Sequence, residues 1–270
     1  MRIDLHLHST ASDGSLTPGA LVYAAVAGGL DVIAITDHDT ASGVATARAA
    51  QSDRIHVVAG IEVSTSLDVN EVHILGYFID PEHAGLVDYS RRAVTWRRER
   101  MRQMIGRLDE IGVRIAYDDV LAVAGVSAES IGRPHLARAL LQRGYVQSHA
   151  EAFDRYIGND APAFLPAQLL GPAESIELIH DAGGVAVWAH PRPDRFEPDL
   201  PRLQQLGIDG VECFRPRVAA SDALRMEHAA RSAGLLVTGG SDWHGDWHGR
   251  LGDYAVSREE VGAFLERGGI

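Results

Sequence analysis

The 270-residue chain contains no lysine, so all 25 of its basic residues are arginine. This absence excludes a P-loop lysine, a Schiff-base lysine and a pyridoxal-phosphate anchor, because each of them requires that amine. Cys213 is the only cysteine, which excludes disulfide frameworks and thiolate-rich metal sites and is typical of a reducing compartment. The chain also lacks an apolar run of about 18 residues, and it begins without an apolar signal segment. We therefore expect a cytoplasmic protein that does not enter a membrane.

Basic charge is also scarce relative to acidic charge. The 25 arginines stand against 37 aspartates and glutamates, which gives a formal net charge of −12. Long nucleic acids bind mainly through neutralisation of their phosphates by cationic side chains, so this chain is a poor partner for them. Bound metal ions could reverse the charge locally, and the chain could then bind a small phosphorylated nucleotide or a short oligonucleotide. The oligomeric state is left open.

Short apolar runs typical of buried parallel strands alternate with alanine-rich helical stretches. Strands are predicted over residues 2–7, 31–36, 55–61, 71–78, 185–189, 210–213 and 235–239. Helices are predicted between them, for example over 17–28, where Thr17 is the expected cap and Pro18 lies in the first turn. Seven strands with intervening helices place the chain in the α/β class and favour a closed or nearly closed barrel over an open sheet.

The alternation stops between about Pro81 and Pro172. This stretch has helical patterns and little strand signal, and helices are predicted over residues 86–111, 117–124, 134–143 and 149–157. The first of these helices is rich in arginine, against the acidic trend of the whole chain. We interpret residues 81–172 as a helical lid and substrate subdomain inserted into a barrel formed by residues 1–80 and 173–270.

Histidines and carboxylates recur at the ends of the predicted strands. In the first strand, Asp4, His6 and His8 alternate with two leucines, so the two-residue period places these three side chains on one face. Two histidines on one face, with a carboxylate in line, have the geometry that a metal centre needs. Asp4 is interpreted either as a ligand or as an acceptor that orients an imidazole.

The same arrangement is repeated along the chain. The candidate groups at the other strands are Asp37, His38, Asp39, Glu62, His73, His190, Asp242 and His244. Because the carboxyl ends of parallel strands meet at one rim of a β/α barrel, we expect these side chains to converge there. Imidazoles and carboxylates without thiolates suit Mn²⁺, Zn²⁺ or Fe²⁺, with Mg²⁺ as an alternative. The set exceeds the needs of one four-coordinate ion, so two or three ions are predicted.

Taken together, these segments resemble the PHP (polymerase and histidinol phosphatase) family of metal-dependent phosphoesterases. The matching segments are Asp4-Leu5-His6-Leu7-His8, Ser12-Asp13-Gly14, Thr36-Asp37-His38-Asp39, Gly60-Ile61-Glu62, His73, Ala189-His190-Pro191 and Gly240-Ser241-Asp242-Trp243-His244. They follow the family order from residue 4 to residue 244, so the resemblance spans nearly the whole chain. The insertion, with Trp96-Arg97-Arg98-Glu99-Arg100 and Gly132-Arg133-Pro134-His135, is most similar to the branch of 3′,5′-nucleotide bisphosphate phosphatases and 5′-to-3′ exonucleases of short RNA.

The resemblance implies a distorted (β/α)7 barrel with a three-metal centre. The implied ligands are His6, His8 and Asp242 for one ion, Glu62, His73 and His190 for a second, and Asp13, His38 and His244 for a third. Glu62 would bridge the first two ions, and the three ligands of the third ion are also predicted to be catalytic. The residues implied to hold substrate from the insertion are Arg97, Arg98, Arg100, Arg133 and His135. The planar fork of an arginine suits bidentate contact with phosphate.

Hydrolysis of a phosphate monoester requires neutralisation of the phosphate and a nucleophile at neutral pH, and divalent ions supply both. We predict attack on phosphorus by a metal-bridging hydroxide, with a 3′,5′-nucleotide bisphosphate as the substrate. The proton donor to the departing oxygen is left open among Asp13, His38 and a bound water. The alternatives are a 5′-to-3′ exonuclease of short 5′-phosphorylated RNA, a histidinol-phosphate phosphatase and a non-catalytic metal-binding module.

The remaining histidines are expected to lie away from the metal face. They are His56, His83, His149, His180, His228 and His248, of which only His248 is expected near the rim. Trp243 and Trp247 are interpreted as walls of the site or as packing residues. Cys213 is interpreted as a small core residue, because its acidic neighbourhood opposes thiolate formation.

Overall fold

The computed structural model describes residues 1–68, 70–125, 128–166 and 169–270. Its strands are β1 (Arg2–Leu7), β2 (Val32–Ile35), β3 (His56–Leu67), β4 (Asn70–Tyr77), β5 (Val185–Trp188), β6 (Gly210–Phe214), β7 (Leu236–Gly239) and β8 (Val256–Ser257). They form one sheet in the order β7-β6-β5-β4-β3-β2-β1-β8. The backbone N–H of His8 donates to the carbonyl of Trp243 at 3.0 Å, which joins β1 to the chain beyond β7. The sheet is therefore nearly closed, and the predicted α/β barrel is confirmed.

Helices alternate with the strands and also fill the insertion. They are α1 (Pro18–Ala27), α2 (Gly43–Ala49), α3 (Ala84–Glu110), α4 (Tyr117–Ala124), α5 (Arg133–Gln142), α6 (His149–Ala152), α7 (Pro172–Asp181), α8 (Phe196–Gln205), α9 (Ala220–Ser232) and α10 (Arg258–Arg267). As predicted, Thr17 caps α1, since its hydroxyl accepts from the N–H of Ala20 at 3.3 Å. In the part of the chain that the structure describes, no helix is long and apolar enough to cross a membrane.

The direction of β4 differs from the prediction, which took all seven strands as parallel. β4 pairs antiparallel with both β3 and β5, whereas β1–β2, β2–β3, β5–β6 and β6–β7 are parallel. The reason is that β3 and β4 form a hairpin in which Leu67 pairs with Asn70. A link this short reverses the chain direction, whereas a parallel strand needs a crossover connection of about a dozen residues or more. His73 lies in the first half of β4, so it still reaches the rim at which the parallel strands end. The short strand β8, which pairs antiparallel with β1, was not predicted.

The barrel and the inserted helices have separate apolar clusters. The larger cluster includes the strand residues Ile33, Ile61 and Ile74 together with residues of the outer helices. The smaller cluster is built from α3, α4, α5 and the segment that follows them, and it contains Met104, Val120 and further buried apolar residues. The predicted boundaries at residues 81 and 172 stay a prediction, and positions 126, 127, 167 and 168 of that range lie outside the described residues.

Helix α3 connects the two clusters. Its first half contributes Leu86, Tyr89 and Ala93 to the barrel cluster, and its second half contributes Met101 and Met104 to the smaller one. Between these halves, two arginines are buried where the helix passes over the rim of the barrel, Arg97 and Arg100. This path brings the insertion directly above the strand ends.

Candidate metal centre

Four donor atoms from the strand ends lie at nearly equal separations. His6 Nε2 and His8 Nε2 lie 3.4 and 3.3 Å from Glu62 Oε2. The same two nitrogens lie 3.4 and 3.3 Å from Asp242 Oδ1. The centre of a regular tetrahedron with such edges is about 2.1 Å from each corner, which agrees with the distances of zinc to nitrogen and oxygen ligands. These four side chains could hold one metal ion.

The second oxygen of Glu62 faces a different set of atoms. Glu62 Oε1 lies 2.9 Å from His73 Nδ1 and 2.9 Å from His190 Nε2, and the two nitrogens are 3.1 Å apart. His38 also lies beside Glu62, with its Nδ1 at 3.0 Å from Oε2. The two oxygens of one carboxylate therefore face two groups of donors, which is the arrangement that a bridging ligand requires.

A third set surrounds Asp13. One donor atom from each of His8, Asp13, His38 and His244 lies within 4.8 Å of all the others. His244 Nε2 is 3.3 Å from Asp13 Oδ1, and His244 Nδ1 lies 2.9 Å from the carbonyl oxygen of Asp242. Because the Nδ1–H donates to that carbonyl, the lone pair of Nε2 is directed towards the cluster. All nine side chains predicted as ligands converge, and we call them the His/Asp/Glu cluster. Their assignment to particular ions stays a prediction.

Several buried atoms of the cluster have no hydrogen-bond partner among the residues described. They are His6 Nε2, both ring nitrogens of His8, both oxygens of Asp13, His38 Nδ1 and Glu62 Oε2. An unpaired buried polar atom costs about 1–3 kcal/mol, so a native protein rarely collects so many at one place. All of them are atoms that coordinate divalent cations, which means that the cluster fits metal ions.

Electrostatics also favours positive charge at this site. Burial raises the pKa of Glu62, but the neighbouring imidazoles of His38 and His73 outweigh that effect and hold it well below its usual range. For His8, burial is likewise outweighed, and the carboxylates of Asp242 and Glu62, each 3.3 Å from its Nε2, raise its pKa to about 10. The site therefore favours positive charge among its carboxylates. That charge can be supplied by protons on the imidazoles or by metal ions that replace those protons.

His38 differs from the other histidines of the cluster. Burial lowers the pKa of His38 to about 4, because Glu62 and Asp13 only partly offset the loss of hydration. Its imidazole is therefore neutral at physiological pH. This is the form in which histidine coordinates a metal ion.

Carboxylates behind the cluster fix the orientation of its members. Glu212 in β6, which the sequence analysis did not select, lies 2.9 Å from His6 Nδ1 and accepts from the backbone N–H of His190 at 2.7 Å. Its position in an otherwise apolar strand could have identified Glu212 from the sequence, because a buried carboxylate needs polar partners. Asp37 accepts from Ser9 and Ser12 and so holds the loop that leads to Asp13.

Asp4 has a different position from the one predicted. It neither belongs to the cluster as a ligand nor contacts an imidazole, because its Oδ1 accepts from the backbone N–H of Ser241 at 2.8 Å and of His6 at 3.3 Å. It therefore joins β1 to the loop that carries Asp242. Burial raises the pKa of Asp4 to about 6.

Replacing Glu212 with glutamine is expected to weaken metal binding by about 10- to 100-fold, since partners that orient a metal-binding histidine have effects of this size. The amide would keep the volume but lose one of the two acceptors that hold His6 and the backbone of His190. Competition titration with a chromophoric chelator would measure the change. Glu177→Gln, on the exposed side of α7, is the matched control. Equal affinities for the two variants would contradict this role.

The cluster forms the floor of a cleft of about 620 Å³ that is covered on one side by the insertion. Arg100 and Arg133 line it from the insertion, and both contact Glu71 Oε2, at 3.3 and 3.2 Å. Burial raises the pKa of Glu71, but Arg133, the hydrogen bond from His73 and Arg100 together lower it. Glu71 was not predicted, although it precedes His73 by two residues and therefore shares its face of β4.

Three of the predicted substrate contacts are placed differently by the structure. All three guanidinium nitrogens of Arg97 have protein partners, which are Asp39, Ser64 and the carbonyl of Ile131. Arg98 is exposed and does not line the cleft. Successive residues of a helix point about 100° apart, so Arg98 points away from the direction of Arg97. His135 is buried, and its Nδ1 accepts from the N–H of Gly132 at the start of α5. Arg97 lines the cleft with its nitrogens already bonded to the protein, whereas Arg98 and His135 do not line it. The substrate contacts of these three residues stay a prediction.

Other residues of the cleft were missed by sequence reasoning. Arg192, Arg215 and Arg217 line it from the loops after β5 and β6. His149, expected to lie elsewhere, lines it beside Trp247, with ring centroids 4.7 Å apart. His248 also lines the cleft, as expected, whereas Trp243 is buried and donates to the carbonyl of Gly249. The three arginines lie within four residues of the ends of β5 and β6. β/α barrels place their site residues in such loops, and this position could have identified them from the sequence.

The barrel, the convergent imidazoles and carboxylates and the arginine-lined cleft together define the class of metal-dependent phosphoesterases. A sequence profile of the PHP domain matches residues 4–157, and the chain belongs to the PHP-domain family. The family, the hydrolase class and the barrel fold predicted from the sequence are thereby confirmed.

Similar proteins cover nearly the whole chain. A 5′-3′ exoribonuclease of Haemophilus influenzae is 38% identical over 90% of this chain and 90% of its own length. A 3′,5′-nucleoside bisphosphate phosphatase of Chromobacterium violaceum is 34% identical over 92% of this chain and 88% of its own length. The solved structure of a candidate metal-dependent phosphoesterase from Bifidobacterium adolescentis has a TM-score of 0.87 at 31% identity, covering 98% of this chain and 96% of that one.

Proposed function

We propose that this phosphoesterase hydrolyses a phosphate ester of a small nucleotide that carries two phosphates, such as 3′-phosphoadenosine 5′-phosphate. The observation that carries the proposal is the cleft itself, in which a cation-binding floor is combined with arginines and aromatic rings on its walls. A volume of about 620 Å³ lies within the range typical of small-molecule sites. The Chromobacterium violaceum relative, named as a nucleoside bisphosphate phosphatase, supports the same substrate class.

The His/Asp/Glu cluster would hold two or three divalent ions, of which Mn²⁺, Zn²⁺ and Fe²⁺ suit its ligands best and Mg²⁺ less well. When bound, such ions supply an ionised water and neutralise the charge of the reacting phosphate. Glu62 would bridge two ions through its two oxygens. Glu212 and the carbonyl of Asp242 would keep the ring nitrogens of His6 and His244 directed at the ions.

The insertion would complete the cleft and bind the part of the substrate that does not react. Arg100 and Arg133 remain proposed phosphate contacts, because two guanidinium groups share the single charge of Glu71. The rings of His149, Phe153 and Trp247 line the same cleft. Burial and the nearby charge of Arg138 lower the pKa of His149, which keeps this ring neutral. Neutral aromatic faces suit a nucleobase.

Trp247→Ala is expected to raise the KM for 3′-phosphoadenosine 5′-phosphate by about 5- to 100-fold, because stacking of a base on an aromatic ring contributes about 1–3 kcal/mol. Steady-state kinetics would measure this effect, with Trp247→Phe as the variant that retains a stacking face. The KM for p-nitrophenyl phosphate, which has no nucleobase, should change much less. An equal change for both substrates would contradict a nucleobase contact.

The proposed reaction can be tested with purified protein loaded separately with Mn²⁺, Zn²⁺, Fe²⁺ and Mg²⁺. Release of inorganic phosphate from 3′-phosphoadenosine 5′-phosphate is expected with at least one of them, and no release with any would refute the proposal. A second candidate, favoured by the Haemophilus influenzae relative, is 5′-to-3′ exonuclease activity on short RNA. A 5′-phosphorylated oligonucleotide degraded to a ladder of mononucleotides would favour that candidate.

A further inference from the structure

The arginines that line the cleft differ in whether a carboxylate neutralises them. Arg97 is paired with Asp39, Arg100 and Arg133 share Glu71, and Arg192 forms a bidentate pair with Asp194. Arg215 and Arg217, by contrast, have no carboxylate within 4.0 Å in the described ranges of the chain. Among the described arginines that line the cleft, the two without a carboxylate partner therefore both lie on the loop after β6.

The local structure of this loop holds both side chains at the cleft. Arg215 is half-buried, and one of its terminal nitrogens donates to the carbonyl of Pro191 at 2.9 Å, directly after His190. Its Nε is buried and has no hydrogen-bond partner among the residues that the structure covers. A buried guanidinium N–H without an acceptor is costly, and it is satisfied when an anion binds beside it.

The backbone conformation of Arg217 is a second indication of a ligand site. Its backbone has a φ of +65°, a left-handed conformation that is rare for a residue with a side chain. Two members of the His/Asp/Glu cluster, His190 and Asp242, share this property with φ values of +30° and +53°. Such backbone strain persists only where surrounding structure imposes it, and it concentrates at ligand sites. Arg217 is exposed, so its guanidinium is available to a ligand in the cleft.

The position of the loop relative to the cluster follows from the sheet. β6 lies between β5, which leads to His190, and β7, which leads to Asp242. Glu212, three residues before Arg215, itself contacts His6 and the backbone of His190. The two arginines therefore lie on the barrel side of the cleft, next to the cluster, whereas Arg100 and Arg133 lie on the insertion side.

We propose that Arg215 and Arg217 form a second anion-binding position, which holds a phosphate group of the substrate that is not hydrolysed. This inference rests on the proposed function and refines it, since it moves one phosphate contact from the insertion to the barrel. The planar forks of two arginines suit a phosphate, either a terminal monoester or the diester of a neighbouring nucleotide. The reacting phosphate would then lie at the cluster and the other phosphate at Arg215 and Arg217, on the barrel side of the cleft.

Kinetics with substrates that differ in phosphate number provide the test. For the double variant Arg215→Gln/Arg217→Gln, the KM for 3′-phosphoadenosine 5′-phosphate or for a 5′-phosphorylated trinucleotide is expected to rise by about 10- to 100-fold, the range for hydrogen bonds to charged groups. The KM for p-nitrophenyl phosphate, which has one phosphate, should change less than about 2-fold, since that phosphate reacts at the cluster. Arg267→Gln, in the last turn of α10, removes one arginine charge away from the cleft and is the control.

The two substrates with additional phosphates distinguish the two sources of the anion. An effect confined to the bisphosphate assigns a terminal phosphate to this position, and an effect confined to the trinucleotide assigns a diester. Either result supports the proposal. Equal effects on one-phosphate and multi-phosphate substrates, or no effect beyond that of Arg267→Gln, would overturn it.

A binding measurement separates this inference from the proposed reaction. Calorimetric titration of the metal-free protein with 3′-phosphoadenosine 5′-phosphate at low salt should give a weaker affinity for the double variant than for the Arg267→Gln control. Absence of hydrolysis by the unmodified protein would refute the proposed function and leave this binding result intact. Equal affinities in the titration would overturn the arginine position even if hydrolysis were found.

Discussion

Replacement of Glu62 with glutamine is expected to lower kcat/KM for phosphate release by about 10³-fold or more and to reduce the metal content of the protein. Glu62 is fully buried, and its two oxygens face His73 and His190 on one side and His6 and His8 on the other. Glutamine has the same volume, but one oxygen becomes an amide group that cannot coordinate a cation. The loss should therefore affect two of the three donor sets at once.

Metal analysis of the purified variant distinguishes this explanation from a general loss of structure. We expect fewer ions per chain than in the unmodified protein, together with a far-ultraviolet circular dichroism spectrum typical of a folded α/β protein. Glu177→Gln, an exposed change of the same kind on α7, should retain both activity and metal content. A Glu62→Gln variant with full metal content and unreduced activity would contradict the bridging position of this carboxylate.

The His/Asp/Glu cluster could be predicted from the sequence because its geometry is set locally. Residues two apart on a strand share a face, so His6 and His8 had to point the same way once β1 was recognised. The carboxyl ends of strands meet at one rim of a barrel, so ligands that follow different strands converge without any knowledge of loops. The direction of β4 could not be predicted in this way, because parallel and antiparallel strands have the same two-residue period. His73 nevertheless reached the rim, since it lies near the start of a reversed strand.

The walls of the cleft were predicted less well, for a physical reason. Helical spacing shows that Arg97 and Arg98 differ by about 100° around α3, but it does not show which of them faces the barrel. That choice depends on Asp39, which is 58 residues away in sequence. The positions of Arg215 and Arg217 depend on loop conformation, and no periodicity reports on it. Sequence patterns therefore predicted the floor of the site, whereas its walls required the tertiary structure.

Arg97 leads to the second prediction of large effect, because it connects the insertion to the barrel beside His38 of the His/Asp/Glu cluster. Its Nε donates to Asp39 Oδ2 at 2.5 Å, and the side chain is only 4% exposed. Asp39 also accepts from the hydroxyl of Tyr89 and the backbone N–H of Ser64, and it directly follows His38. Burial raises the pKa of Asp39, but the charge of Arg97 outweighs this effect and lowers it. The carboxylate is thus ionised in the interior and depends on its partner.

Arg97→Met is expected to lower the free energy of unfolding by about 3–5 kcal/mol, because it leaves a buried carboxylate without its counter-charge. Chemical denaturation followed by circular dichroism would measure the change. Arg98→Met, the adjacent exposed arginine of α3, is the matched control and should change the stability by less than about 0.5 kcal/mol. Equal effects of the two variants would show that the pair does not anchor the insertion.

The double variant Arg97→Met/Asp39→Asn separates the cost of an unpaired charge from the contribution of the pair. Replacement of both charges removes the unpaired carboxylate, so the double variant should be more stable than Arg97→Met alone. If it is not, the destabilisation comes from lost packing of the long side chain rather than from charge.

An ion pair of this strength at the base of the insertion also means that α3 cannot swing away from the barrel at low cost. Lid movement, if the insertion provides it, is therefore expected in α4 to α6, beyond the buried part of α3.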